Sequence, residues 1–281
     1  MVEYIVAAAA FLIASRIIKK NESKIKGHLG EGRLTRCVRN LPIPGKVIVM
    51  RDSLFPSDWG SSQIDVLAIT RFGIMVFEMK NRSGDIHGAV GKGDWFVTVN
   101  NHTYSLPSPV KQNNTHIAAL HSILSDQFPH ATYIPLTVFS DQARLFVQNS
   151  RNKVCHLRDV HKVISRQLGP EVFTDKEVEE IAGILGKNLL KSRQARKNHL
   201  TAIKLSEEIR GKYTRAEQAM IRQQIMNMAK DKPILSASGE VTSTTNPISK
   251  SAMNRPLHEL LKDAESRAPV NEQERAPNQG R

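Results

Sequence analysis

Cysteine and aromatic residues are scarce in this sequence, and their scarcity narrows the classes of protein it can represent. Only two cysteines, Cys37 and Cys155, occur among its 281 residues; they lie far apart and form no CxxC pair. The spacing of a zinc site is absent, and we expect two reduced, buried thiols in a cytosolic setting, with a disulfide as the weaker alternative. Aromatic residues make up 5%, although the 40% hydrophobic content is enough for a real core.

Acidic residues are also outnumbered. The chain has 27 Asp and Glu against 40 Lys and Arg, which gives a formal net charge of +13. This balance favours acidic partners, either nucleic acid or anionic lipid, and charge alone does not choose between them. The length allows one sizeable domain with appendages or two small domains.

One long apolar run begins the chain, at residues 2–18 (VEYIVAAAAFLIASRII), and lysines follow it. A membrane span needs about 20 apolar residues, within a range of roughly 17–25, so this run is at the short limit. The positive charges follow the run, whereas a cleavable signal peptide has them before it. We therefore predict a single-pass membrane anchor within residues 1–20, with everything after it in the cytoplasm. A soluble or interfacial helix is the alternative.

The remaining chain divides by composition into three parts. Strand and helix patterns fill residues 27–190, which predicts one α/β domain. Basic residues and Gln dominate residues 191–232, which predicts an exposed basic helical segment. Ser, Thr, Asn and Pro dominate residues 233–281, which predicts a disordered tail that can recruit a protein partner. An amphipathic helix from residue 174 to residue 189, begun by a capping box, closes the α/β domain.

The most informative stretch is residues 61–88, SSQIDVLAITRFGIMVFEMKNRSGDIHG. It predicts two antiparallel strands joined by a turn at residues 70–73. Alternation along the strands then places Asp65 opposite Glu78, with Lys80 on the same face. Carboxylates so opposed have Cβ atoms about 4.5–5.5 Å apart and need a cation, a shared proton or an exposed edge. Mg²⁺ prefers such oxygen ligands, and a structural ion pair between Asp65 and Lys80 is the alternative.

Two further polar residues lie on predicted helices. Glu31, in a helix over residues 28–40, shares a face with Leu34 and Val38, so it either points inward or favours the helix dipole in solvent. Gln112 lies in a helix that follows the prolines at 107 and 109, and His116 is one turn beyond it. Four histidines share no helical face and are assigned no metal: His102, His116, His121 and His130.

The order of these motifs resembles the nuclease-related domain (NERD) family of the PD-(D/E)xK nuclease superfamily, over residues 27–189. Isolated D…ExK patterns are common by chance, whereas acid, strand, turn, strand, ExKN and GxIxG in this order are much more specific. The matching segments are GEGR at 30–33, QIDVLAIT at 63–70, GIMVFEMKNRSGDIHG at 73–88, Trp95, SPVKQ at 108–112 and the closing helix at 174–189. The superfamily's proline is Ile64 here, a departure that many relatives share.

The resemblance implies a restriction-endonuclease-like fold, a mixed central sheet flanked by helices. It also implies that Asp65 and Glu78 bind Mg²⁺ or Mn²⁺, with the Met79 carbonyl as a further ligand. Lys80 would assist the attacking water. Two residues complete the expected catalytic set, Glu31 in the acidic cluster and Gln112 near the site.

The function predicted from these observations is a membrane-anchored, metal-dependent nuclease that acts on DNA. The alternative is a catalytically inactive nucleic-acid-binding or scaffold protein at the membrane, which uses the basic segment at residues 187–232.

Overall fold

The computed structural model describes residues 27–57 and 60–210. The predicted anchor at residues 1–20 and the predicted tail at residues 233–281 lie outside this part of the chain. Within the described residues, no helix is both long and apolar enough to cross a bilayer. The elements in chain order are α1 (27–39), β1 (Ile48–Ser57), β2 (Gly60–Thr70), β3 (Gly73–Lys80), β4 (Gly84–Ala89), β5 (Trp95–Val99), β6 (His102–Leu106), α2 (Pro109–Leu124), β7 (Tyr133–Phe139), β8 (Ala143–Gln148), β9 (Val154–His156), a 3-10 helix (Leu157–Asp159), α3 (Val160–Ser165), α4 (Asp175–Lys187) and α5 (Arg193–Arg210). Residues 27–57 and 62–190 belong to one compact unit, and α5 belongs to a second.

The strands of the first unit form two mixed sheets, which corrects the prediction of one central sheet. The first has the order β1-β2-β3-β7-β9, and the second has the order β6-β5-β4-β8. In the first sheet β2 and β3 are antiparallel, whereas β3, β7 and β9 are parallel. In the second, β8 pairs parallel with β4, and β5 lies antiparallel between β4 and β6.

The second sheet arises because two neighbouring strands break at the same level. The last pair of the β3–β7 ladder is Lys80 with Phe139, and the first pair of the β4–β8 ladder is Gly84 with Ala143. Between these pairs the Ser140 hydroxyl donates to the Arg82 carbonyl over 2.6 Å, so the two connections stay attached to each other. The two strands end at the same level only because distant segments of the chain pair with each other, and the local sequence pattern does not predict such pairing.

The predicted hairpin register is confirmed where the ladder extends. Ile69 pairs with Ile74 and Leu67 pairs with Val76, as alternation predicted. The ladder continues to Thr70 and Gly73, so the loop has two residues and not four. Gly73 has φ +128°, and a Cβ there would lie 2.7 Å from the Thr132 carbonyl oxygen, so a side chain is excluded at this turn.

Helices cover both faces of the first sheet, as predicted. On one face α1 and α3 pack against Val66 and Ala68 of β2 and the odd-numbered residues of β3. Its buried members include Leu34, Val38, Val66, Met75, Phe77, Val160 and Ile164. The other face, covered by α2 and α4, includes Leu67, Ile69, Ile74, Val76, Leu120, Leu124, Val178, Ile181 and Leu185.

Several predicted elements are confirmed, and one is wrong. The capping box at Thr174 and Glu177 begins α4. The adjacent asparagines Asn100 and Asn101 predict a hairpin turn, and they join β5 to β6 with positive φ at both residues. By contrast, the polar sequence of residues 51–62 predicts a loop after a short strand, and this prediction is wrong, because β1 extends to Ser57 with Leu54 and Phe55 buried. Both cysteines are free thiols, Cys155 buried and Cys37 partly buried.

Candidate active site

Glu78, near the carboxyl end of β3, is the most deeply buried acidic side chain among the described residues, at 1% exposure. It lies on the sheet face that α2 covers, because side chains alternate and Val76 two residues earlier packs there. Its Oε1 is 2.6 Å from the Lys80 Nζ, and its Oε2 is 3.0 Å from the His116 Nε2. Both carboxylate oxygens therefore have a nitrogen partner.

Lys80 links this carboxylate to α2. Its Nζ donates to the Gln112 Oε1 over 3.0 Å in addition to contacting Glu78. The Lys80 side chain is 19% exposed, so the ammonium group lies at the boundary between the interior and solvent. The structure thus brings together three of the residues predicted from the sequence, Glu78, Lys80 and Gln112.

His116 is a member of the site that sequence reasoning missed. It is buried on α2, where its Nδ1 lies 2.6 Å from the Ser62 hydroxyl and its Nε2 faces Glu78. The signal was present in the sequence, because His116 follows Gln112 by four residues and therefore shares its helix face. Asn113, also on α2, donates to the Val76 carbonyl over 2.9 Å and holds the helix on β3.

Asp65 contacts β3 through its side chain. The β2–β3 ladder ends at Val66 and Phe77, and beyond it the Asp65 Oδ2 accepts a hydrogen bond from the Met79 N–H over 2.8 Å. The carboxylate of Asp65 therefore binds the β3 backbone where the predicted direct pairing with Glu78 would have continued the ladder.

Glu31 points inward, which decides between the two alternatives left open by the sequence. Its side chain is 15% exposed, and its Oε2 is buried without a hydrogen-bond partner among the described residues. Among the described residues, the basic group nearest to it is the His28 Nδ1 at 3.5 Å, which forms an ion pair only when that ring is protonated and is too far away for a good hydrogen bond.

The two carboxylates on β2 and β3 have opposite electrostatic environments. Burial raises the pKa of Asp65 well above its usual range, and the charges of Glu78 and Glu31 raise it further, against the hydrogen bond from Met79 and the charge of Lys80. Burial also acts to raise the pKa of Glu78, but Lys80 and His116 outweigh it, so the pKa of Glu78 is lowered. Glu78 is thus held ionised, whereas Asp65 favours a proton or another cation.

The donor set suits a hard divalent cation, although no ready-made cage is present. Among the described residues, no three His, Cys, Asp or Glu side chains converge into a group that could hold a metal ion. Carboxylate oxygens are nevertheless the ligands that Mg²⁺ prefers. A buried Glu31 oxygen without a partner, and an Asp65 whose pKa is raised by neighbouring carboxylates, are both features that a cation would relieve. The Met79 carbonyl stays a predicted ligand.

Comparison with known proteins agrees with this geometry. The sequence profile of the nuclease-related domain family (NERD) matches residues 26–140. The match includes Glu31, Asp65, Glu78, Lys80 and Gln112. An uncharacterized protein of Bacillus anthracis is 24% identical over 197 residues, which is 70% of this chain and 92% of that protein. No solved structure matches the chain. Residues 26–140 of this chain are therefore similar to the nuclease-related domain family.

Proposed function

We propose that this chain is a divalent-metal-dependent nuclease that hydrolyses phosphodiester bonds of DNA at the cytoplasmic face of a membrane. The observation that carries the proposal is the buried, ionised Glu78, held between Lys80 and His116. A surface ion pair would contribute little and would not need this burial. A carboxylate kept charged in the interior, beside the carboxyl of Asp65 whose pKa is raised, is typical of a site that binds a cation.

The residues present match the needs of phosphodiester hydrolysis. A divalent metal supplies an activated water and neutralises charge on the phosphate. Asp65 and Glu78 would hold it, with Glu31 as the third carboxylate. Lys80 has three N–H donors, of which Glu78 and Gln112 orient two. The third N–H is left to donate to the attacking water or to a phosphate oxygen. His116 orients the Glu78 carboxylate, which in turn orients Lys80.

The choice of DNA and of a membrane location rests on the sequence. A net charge of +13 suits a polyanionic substrate, and the apolar run at residues 2–18 suits a single-pass anchor. The tail at residues 233–281 is proposed to recruit a protein partner.

The test is cleavage by the full-length chain, purified in a nonionic detergent, with DNA or RNA and with Mg²⁺, Mn²⁺ or EDTA. We expect metal-dependent cleavage of DNA that falls at least about 100-fold in Glu78→Ala, which removes a proposed metal ligand, and in Lys80→Ala, which removes the proposed donor to the attacking water. Glu180→Gln, an exposed acid on α4, is the matched control and should cleave like the parent. Cleavage that is absent with both metals, or that survives both substitutions, would refute the proposal.

A second candidate function is nucleic-acid binding without turnover. It is favoured by α5, a described helix that carries Arg193, Lys197 and Lys204 within the predicted basic segment. This candidate predicts salt-sensitive DNA binding that persists in Asp65→Asn and is lost when residues 191–232 are deleted. Loss of metal-dependent cleavage in Glu78→Ala would leave it without support as the main function.

A further inference from the structure

A pocket of about 350 Å³ lies directly beyond the end of β3, where the catalytic lysine is expected. One wall is the connection between the two sheets, residues 81–83, which follows Lys80 without a break. The opposite wall is the β5–β6 hairpin. Its lining includes Arg82 from the connection and Val97 and Tyr104 from the hairpin.

The pocket is fixed next to the site by backbone contacts. The Arg82 N–H donates to the Lys80 carbonyl over 2.8 Å, and Ser140 binds both the Lys80 and the Arg82 carbonyls. Successive Cα atoms are 3.8 Å apart, so the Cα atoms of Lys80 and Arg82 are separated by no more than about 7.6 Å. A strand whose phosphate lies at Lys80 would therefore continue past this pocket.

The chemistry of the lining suits one nucleotide. Tyr104, on the edge strand β6, is 56% exposed and offers an open aromatic ring. Arg82 is exposed, and its guanidinium has no hydrogen-bond or ion-pair partner among the described residues. Of the described residues that line the pocket, none is acidic, in contrast to Glu78, which precedes the pocket by three residues in the sequence. An aromatic ring for a base beside a cation for a phosphate is the combination that binds single-stranded nucleic acid.

We propose that this pocket binds one unpaired nucleotide of the strand lying in the active site, with its base stacked on Tyr104 and its phosphate contacted by Arg82. The inference rests on the proposed function, because it assumes a nucleic-acid substrate, and it narrows the substrate to strands with an unpaired segment. A base within a duplex is already stacked on its neighbours, so Tyr104 can contribute only where the base is free.

The same sheet provides a matched control. Phe146 on β8 is 53% exposed and stacks on His87, with ring centroids 4.8 Å apart. His87 pairs with both Phe146 and Phe96 in the strand registers, whereas Tyr104 pairs with Val97, the residue after Phe96. Phe146 therefore lies on the sheet face opposite Tyr104, so it tests whether any exposed ring on this sheet gives the same effect.

The experiment measures binding of a fluorescent oligothymidylate and of a blunt duplex to the full-length chain in EDTA, where no cleavage can occur. Tyr104→Ala should weaken single-strand binding roughly 5- to 150-fold, the effect of losing one stacking ring, and should leave duplex binding unchanged. Tyr104→Phe and Phe146→Ala should bind like the parent. Arg82→Ala should weaken binding and reduce the slope of log affinity against log salt by about 0.7.

The proposal is overturned if the parent does not bind the oligonucleotide or if Tyr104→Ala binds like the parent. It is equally overturned if Phe146→Ala loses as much affinity, or if duplex binding falls as far as single-strand binding. Thermal unfolding of each variant shows whether a lost affinity reflects a lost fold, and Tyr104→Phe supplies a variant that keeps the ring. Tyr104-dependent binding in a chain that cleaves no nucleic acid would support the pocket and refute the nuclease, so the two failures are distinguishable.

Discussion

Replacing His116 by leucine tests the electrostatic core of the candidate site. The substitution places an apolar side chain of similar size in the helix and removes the donor to the Glu78 Oε2. Because both side chains are almost completely buried, water cannot take the place of the imidazole. The Ser62 hydroxyl, which contacts the other ring nitrogen, loses its partner as well.

The expected cost follows from the type of bond removed. A buried hydrogen bond to a charged group contributes about 1.5–3 kcal/mol, and Lys80 still holds the other oxygen of Glu78. We therefore expect His116→Leu to lower the free energy of unfolding by about 2–3 kcal/mol, which for a domain of this size lowers Tm by roughly 4–12 °C. His116→Gln keeps an N–H donor and should lose less than half as much.

The decisive measurement is a double-mutant cycle by urea unfolding followed with circular dichroism. In the Glu78→Gln background the buried charge is absent, so adding His116→Leu should lower the free energy of unfolding clearly less than it does in the parent. We expect a coupling energy between the two substitutions of about 1 kcal/mol or more, within the range of about 0.5–3 kcal/mol seen for contacting residues. If the cost is the same in both backgrounds, or if His116→Gln is as harmful as His116→Leu, the imidazole does not stabilise the carboxylate and the reasoning is wrong.

Two further predictions concern the scaffold. A Cβ on Gly30 of α1 would lie 2.7 Å from the Cβ of Asn81, so Gly30→Ala should destabilise the protein by about 1–3 kcal/mol, measured by thermal unfolding. A Cβ on Gly32 would meet its nearest atom at 3.8 Å, so Gly32→Ala should be neutral or stabilising. Equal effects of the two substitutions would refute the close approach of Gly30 to Asn81. The hydrogen bond from Arg71 lowers the pKa of Asp175 below its usual 3.8, so its contribution is present above pH 3.8 and lost as pH falls through the folded value. Asp175→Asn should therefore lower stability at neutral pH, and the difference from the parent should shrink below about pH 4; a difference independent of pH would contradict this ion pair.

Local periodicity predicted a large part of the fold. Alternation and the turn at Gly73 set the β2–β3 register, because a shift of one residue would move every apolar side chain to the wrong face. The capping box marked the start of α4, and the paired asparagines marked the β5–β6 turn. The second sheet was not predictable in this way, since it depends on β4 and β8 pairing across 59 positions, from Gly84 to Ala143.

The candidate site also combines relations that local periodicity predicts with contacts that only packing creates. The sequence by itself determined that Glu78 and Lys80 share one strand face and that Gln112 and His116 share one helix face, because these relations follow from the periods of strand and helix. Only the tertiary structure decided that the two faces meet, that Glu31 turns inward and that Asp65 binds the Met79 N–H. The ionisation of Glu78 is decided there too, since it depends on a histidine 38 positions away, and the energy of a buried charge depends on neighbours that only packing brings into contact.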